Sequence, residues 1–345
     1  MKEMKRLAPH ALLLIVAAIA AFAYAGPEEG PGPLKPGEVE LWSGSHKDVT
    51  RITYETNRQM VMLERKQDDT GLWYLGKVEP VDPKEEPEPE AADAGADGGP
   101  PSPHKPKPVE PSTFAAVSVA EKIVKALAPL RAARAIGEVD GEREKVFGLD
   151  KPEGTLTVEI GSKKHVLIVG GNTPGAGSRY VRDADTKLVY VIDAQPVRDL
   201  DGGSARLSER AMHGWKFAEI ERATVIGGDK SRIFVKGGAE GKQFWAASET
   251  PETNDETVNN WLRKVENLRP VTFVEKLPEN AERVLRVDYG TKGDTLGYLE
   301  LYRYQDEEGK DEFAIKTEYL RMPSTVAKTI GEQVVDDLPS LFPVQ

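Results

Sequence analysis

The chain has 345 residues with 57 acidic and 46 basic side chains, a formal net charge of -11, and no cysteine. The acidic balance argues against a nucleic-acid partner, because neutralising phosphates takes clustered Lys and Arg, and no basic patch interleaved with aromatics is visible. Without cysteine no disulfide framework can form, so stability has to come from a hydrophobic core, which a chain of this length can supply.

In chain order, Lys2, Lys5 and Arg6 precede the apolar run Ala11 to Tyr24, and Ala23 to Ala25 forms a small-x-small signal before Gly26. This is the layout of a secretory signal peptide. An uncleaved N-terminal transmembrane anchor over residues 1–25 is the alternative, since Leu7 to Ala25 approaches the ~20 residues a bilayer requires. Both place the folded part in the periplasm or another extracytoplasmic space. No cysteine follows the run, which excludes a lipoprotein anchor.

Val49 to Tyr54 alternates apolar and polar residues, Met60 to Glu64 is a looser apolar run, and Leu72 to Leu75 follows a Thr70-Gly71 turn. Together they predict a three-stranded antiparallel meander. Glu79 to Ser112 then carries nine acids and three lysines among many prolines. Such a composition cannot bury enough apolar surface to offset chain entropy, and it reads as a disordered linker. Ser112 or Thr113 can cap a helix running to about Leu130. Thr155 to Ile160, Val166 to Val169, Tyr180 to Arg182 and Leu188 to Ile192 are strand candidates, with a short helix from Pro196.

The same order then recurs. Ala223 to Ile226, Ser231 to Lys236 and Gln243 to Ala247 form a second meander, with Trp245 expected in a place similar to that of Trp73. Thr253 and Glu256 have capping-box spacing before a helix. Val258, Trp261, Leu262, Val265 and Leu268 make one apolar helical stripe, a core feature by its spacing. Val284 to Tyr289, Leu296 to Tyr304, Glu312 to Lys316 and a short piece near Tyr319 follow as strands, then a helix from Ser324. Val119 to Val139 aligns without a gap on Thr257 to Leu277, setting Ile123 on Trp261, Leu127 on Val265, Leu130 on Leu268 and Arg131 on Arg269. Leu156 to Gly161 (LTVEIG) aligns on Leu285 to Gly290 (LRVDYG). The expected fold is therefore α+β, antiparallel sheets with packed helices, internally duplicated as A-B-A-B. The first repeat covers 26–220, with the linker at 79–112, and the second covers 221–345. Even spacing favours two similar lobes, and one continuous sheet is the alternative.

No motif assigns catalytic, cofactor or metal residues. Gly170 to Gly177 is glycine-rich like a phosphate loop but lacks the Gly-Lys-Ser/Thr ending, and a strand follows it, so a hairpin turn is expected. Asp199 to Gly203 lacks the spacing of a calcium loop. The five histidines, His10, His46, His104, His165 and His213, have no zinc spacing. Ser204, Ser208 and His213 are close in sequence but no nucleophile elbow frames them, and they are expected on an exposed loop. Gln305 to Gly309 reads as a solvated hairpin. Tyr298, Tyr302 and Tyr304 share one strand face and are the candidates for stacking against an envelope glycan.

Phe147 to Pro152 (FGLDKP), Leu156 to Ile160, Val169-Gly170 and Tyr180 to Arg182 resemble the bacterial family called domain of unknown function 4340. So do the helix ending in Leu130-Arg131 before Arg134, and Trp73 closing the first meander. The resemblance covers essentially the whole exported part, and the long acidic linker departs from it. It implies an envelope protein of a kind often encoded beside ABC-transporter components of gliding or export systems, and it carries over no catalytic residue. The first expectation is a non-enzymatic accessory or binding subunit whose partner is an ABC-transporter permease or auxiliary subunit. A glycan- or ligand-binding module with an envelope polymer as partner is the second. A hydrolase with carboxylates that no motif marks is the third.

Overall fold

The computed structural model describes residues 32–81, 108–239 and 242–342. The leader lies outside them, as does most of the acidic linker. The first half contains β1 (Val39–Trp42), β2 (Val49–Thr56), β3 (Gln59–Asp68), β4 (Gly71–Pro80), β5 (Ser112–Ala116), α1 (Ser118–Leu127), β6 (Leu130–Ala132), β7 (Arg134–Gly137) and α2 (Gly141–Val146). It continues through β8 (Gly154–Ile160), β9 (Lys163–Asn172), β10 (Ser178–Asp183), β11 (Val189–Asp193), α3 (Gln195–Asp201) and α4 (Gly203–Leu207). The second half contains β12 (Arg222–Gly227), β13 (Lys230–Gly237), β14 (Phe244–Ala247), α5 (Glu256–Glu266), β15 (Glu282–Gly290), β16 (Thr295–Gln305), β17 (Asp311–Thr317), β18 (Ser324–Thr325) and α6 (Lys328–Asp337).

The class is α+β. Among the described residues all strand pairs are antiparallel, and the strands form two large sheets plus the small pair β1-β6. The nine-stranded sheet has the order β5-β4-β3-β2-β8-β9-β10-β11-β7, and the seven-stranded sheet has the order β14-β13-β12-β15-β16-β17-β18. Each begins as a hairpin meander. A helix then carries the chain back across one face, so that β8 pairs with β2 and β15 with β12. Period-2 burial explains why the meanders form: Ile52, Tyr54, Val61, Leu63, Tyr74 and Val78 point to one buried face.

Helices cover that face in pairs, α1 with α3 and α5 with α6. The α5 stripe is buried as its spacing requires, from Val258 through Trp261 and Leu262 to Val265, and Leu268 is buried just beyond the end of the helix. Ile123, Val124, Leu127 and Leu130 are buried likewise. Trp261 Nε1 donates to the Val334 carbonyl at 2.9 Å, tying α5 to α6. One continuous hydrophobic core includes residues of both halves. Among the described residues no helix is long and apolar enough to cross a membrane.

Several expectations need correction. Ser112 and Thr113 open a strand, β5, and cap no helix. The first N–H of α1, that of Ser118, is met instead by buried Glu209 at 2.8 Å. Glu79 and Pro80 likewise belong to β4, not to the linker. The cap of α5 is Asp255, which accepts from Val258 N–H at 3.2 Å; Thr253 plays no part in it. Trp245 is buried under α5, whereas Trp73 lies on the opposite, outer face of its sheet and is half-buried. The piece near Tyr319 is a turn, with the strand at Ser324–Thr325 and the helix starting at Lys328.

Candidate functional site

Alternation along β16 sends Leu299 and Leu301 into the core and Tyr298, Glu300, Tyr302 and Tyr304 to the outer face. The three tyrosines are together there, as their spacing requires, and half-buried. Their ring faces are not all free. The Arg286 guanidinium sits 4.6 Å from the centre of the Tyr298 ring, and Lys316 Nζ 5.5 Å from that of Tyr302. Glu300 ties this face into a lattice. It accepts from Tyr302 Oη at 2.8 Å and from Arg286 Nη1 at 2.9 Å, and it pairs with Arg283. Burial alone would raise the Glu300 pKa, but the hydrogen bonds from Tyr302, Arg283 and Arg286 outweigh it and hold the carboxyl below its usual range. Burial, then the bond to Glu300, pushes the Tyr302 phenol up to about 12. A sugar stacking on Tyr298 or Tyr302 has to displace a cation first.

This face runs into a cleft of about 530 Å³ at the junction of the halves. The β3-β4 hairpin contributes Asp68, Asp69 and Thr70; the second half contributes Tyr298, Lys316, Glu318 and Arg321. Arg321 follows β17 in the left-handed region, at φ 64°. Its side chain is 7% exposed. Nη1 donates to the Glu318 carbonyl at 3.1 Å and lies 3.3 Å from Asp68 Oδ1, while Nε is buried with no acceptor. Burial raises the Asp68 pKa, yet Thr70 and Arg321 bring it below the ordinary value. The Glu318 carboxylate takes Trp215 Nε1 at 3.1 Å and Tyr298 N–H at 2.8 Å, and His213 Nδ1 lies 2.9 Å away. A Cβ at position 297 would come within 2.2 Å of the Glu318 carboxyl carbon, so any larger residue than glycine there displaces that carboxylate.

A second cavity, a groove of about 930 Å³, also lies between the halves. Ser204, Ser208 and Arg210 line it from the first half, and Arg269, Val271 and Phe273 from the second. Ser204 is therefore on α4, not on an exposed loop. His213 does not join the two serines. It is nearly buried, stacked 4.1 Å on Trp215 and held at Glu318. Pro323 O and Thr325 N–H pin the segment from Arg269 to Leu277, which runs from the groove to the cleft. No sequence signal joins these groups, since Asp68 and Arg321, or His213 and Glu318, are far apart along the chain.

Gly170 to Gly177 is the expected hairpin turn, closed by Thr173 N–H on the Ser178 carbonyl at 2.9 Å and opened at Gly175 with φ 92°. Gln305 to Gly309 is likewise a hairpin, with Asp306 accepting from the Lys310 amide at 2.8 Å. Asp199 to Gly203 joins α3 to α4, and Asp199 accepts from Gln195 and Arg206. Among the described residues no group of three or more acidic or histidine side chains is arranged to hold a metal ion.

The family described as Domain of unknown function (DUF4340) matches residues 115–288, half of the chain, from β5 into β15. No curated protein and no solved structure matches the chain.

Proposed function

The chain belongs to the DUF4340 family, and on that premise we propose that it is a non-enzymatic, exported envelope protein. In this reading it is an accessory or binding subunit of an ABC-type transporter or of a gliding- or export-like membrane complex. The observation that carries the reading is the groove between the halves. Its volume of about 930 Å³ and its lining, with Val271 and Phe273 beside Arg210 and Arg269, suit a segment of a partner polypeptide. Val271 is 64% exposed, an uncovered apolar side chain at the mouth of that groove. The two halves are read as an A-B-A-B duplication. Support comes from the equivalent strand orders of the two sheets and from α1 and α5, whose first residues, Ser118 and Glu256, keep the register of the sequence alignment.

A photo-crosslinking residue at Val271, installed in the native host, tests the reading, with Val146 as the control. Val146 is 78% exposed on α2. Recovery of a transporter permease or its auxiliary subunit from Val271 alone is the expected outcome. Equal recovery from both positions, or none, would sink it. The alternative, an envelope glycan on the tyrosine face, is weakened by the cations already lying over Tyr298 and Tyr302. Retention on peptidoglycan that Tyr304→Ala abolishes would revive it.

A further inference from the structure

We propose that the cleft at the end of the tyrosine face binds a short peptide with both termini free, its carboxylate held by Lys316, Lys276 and Arg321 and its ammonium by Asp69 and Glu275. The charges that line this cleft fall into two sets. Asp68 and Glu318 are engaged: Asp68 with Thr70 and Arg321, Glu318 with Trp215, Tyr298 and His213. The side chains of Asp69, Glu275 and Lys276 enter no ion pair or hydrogen bond among the described residues, and the Lys316 ammonium lies over the Tyr302 ring.

Two anions and two cations are thus left facing one space. A purely anionic ligand would meet Asp69 and Glu275 at short range, and a purely cationic one Lys276 and Lys316. A ligand carrying both signs offsets both sets. Arg321 adds an independent observation. Its guanidinium has five N–H donors, it is more than nine-tenths buried at the cleft wall, and its Nε lacks an acceptor. A buried unpaired donor is costly, and a carboxylate is the acceptor that matches a guanidinium in shape and charge. The volume, about 530 Å³, lies within the range of small-ligand sites, and the Tyr298 ring supplies an apolar wall. Asp69 comes from the first half and Lys316 from the second, so the peptide would tie the halves together. The cleft is distinct from the partner groove, so this inference deepens the binding role without needing the transporter assignment.

Calorimetric titration of the purified protein with trialanine tests it, alongside N-acetyl-trialanine and trialanine amide. Saturable binding of the free peptide is expected, with a loss of about fivefold for each blocked terminus, the value of a partly exposed charge pair near ~1 kcal/mol. Lys316→Gln and Lys276→Gln should weaken binding by a similar factor and flatten the difference between the acid and the amide. Lys164→Gln, exposed near the start of β9 in the other sheet, should leave binding unchanged. Arg321 is kept intact in these variants because it also holds Asp68 across the junction. Absence of saturable heat, equal affinity for the blocked peptides, or unchanged binding in both lysine variants would overturn the proposal. Failure of the Val271 crosslink would leave it standing.

Discussion

In the first half the outer edge of the meander, β4, is covered by a further strand, β5. In the second half the equivalent edge, β14, is covered by a side chain. Asn259 of α5 accepts from Trp245 N–H at 3.0 Å and donates to the Trp245 carbonyl at 3.1 Å, doing for one residue what a neighbouring strand would do. The alignment sets Asn259 on Glu121, which makes only a surface pair with Lys125. The same order of strands therefore meets the edge-strand problem in two ways, by pairing and by an amide cap. The outer faces differ as well. Phe147 and Leu149 cover part of the first sheet with a small apolar cluster that includes Tyr180 and Val191. The second sheet carries the Tyr, Arg and Glu lattice around Glu300 and remains open toward the cleft.

The largest test of this comparison is at the matched core positions. Trp261→Ala should cost about 4 kcal/mol and Ile123→Ala about 3 kcal/mol, read by urea denaturation. Because one core runs through both halves, each variant should shift a single common transition. Two transitions, each moved by only its own variant, would show that the halves are stabilised separately. Next, Asn259→Ala should cost about 2 kcal/mol by leaving the Trp245 N–H unpaired, while Glu121→Ala should stay within about 0.5 kcal/mol. Equal effects at the two positions would remove the distinction between the edges.

The smallest effect concerns the outer lattice. Glu300→Gln should lower stability by roughly 1 kcal/mol at neutral pH. The folded-state pKa of Glu300 is depressed, so its contribution is present above the ordinary carboxylate value, about 4.3, and is lost as pH falls through the folded value. Melting curves of the two proteins should therefore converge as pH is lowered below about 4. A gap that stays constant with pH would mean that Glu300 acts by packing alone.

Much of the scaffold was legible because its signals are local. Period-2 burial marks the meander strands around Ile52 and Val225, and a 3.6-residue stripe marks α5 from Val258 to Val265. A glycine able to take φ 92° at position 175 marks a hairpin. Tyr298, Tyr302 and Tyr304 share a face for the same local reason, but the cations lying over two of their rings come from neighbouring strands. β5 was not legible: Ser-Thr-Phe-Ala-Ala has the composition of a helix start, and only pairing with β4 makes it a strand. The α1 cap could not be read from nearby residues either, since Glu209 supplies it from 91 positions away. The α+β class, the order of the main elements and the buried stripe of each helix are written in local residue patterns, because periodicity of burial acts within a few residues. The cleft and the groove arise only from long-range packing. Asp68 meets Arg321 only after two sheets have packed on a common core, His213 meets Glu318 only after the segment before β12 has folded onto β15 and the end of β17, and contacts at such separation follow from the geometry of packing and leave no local pattern.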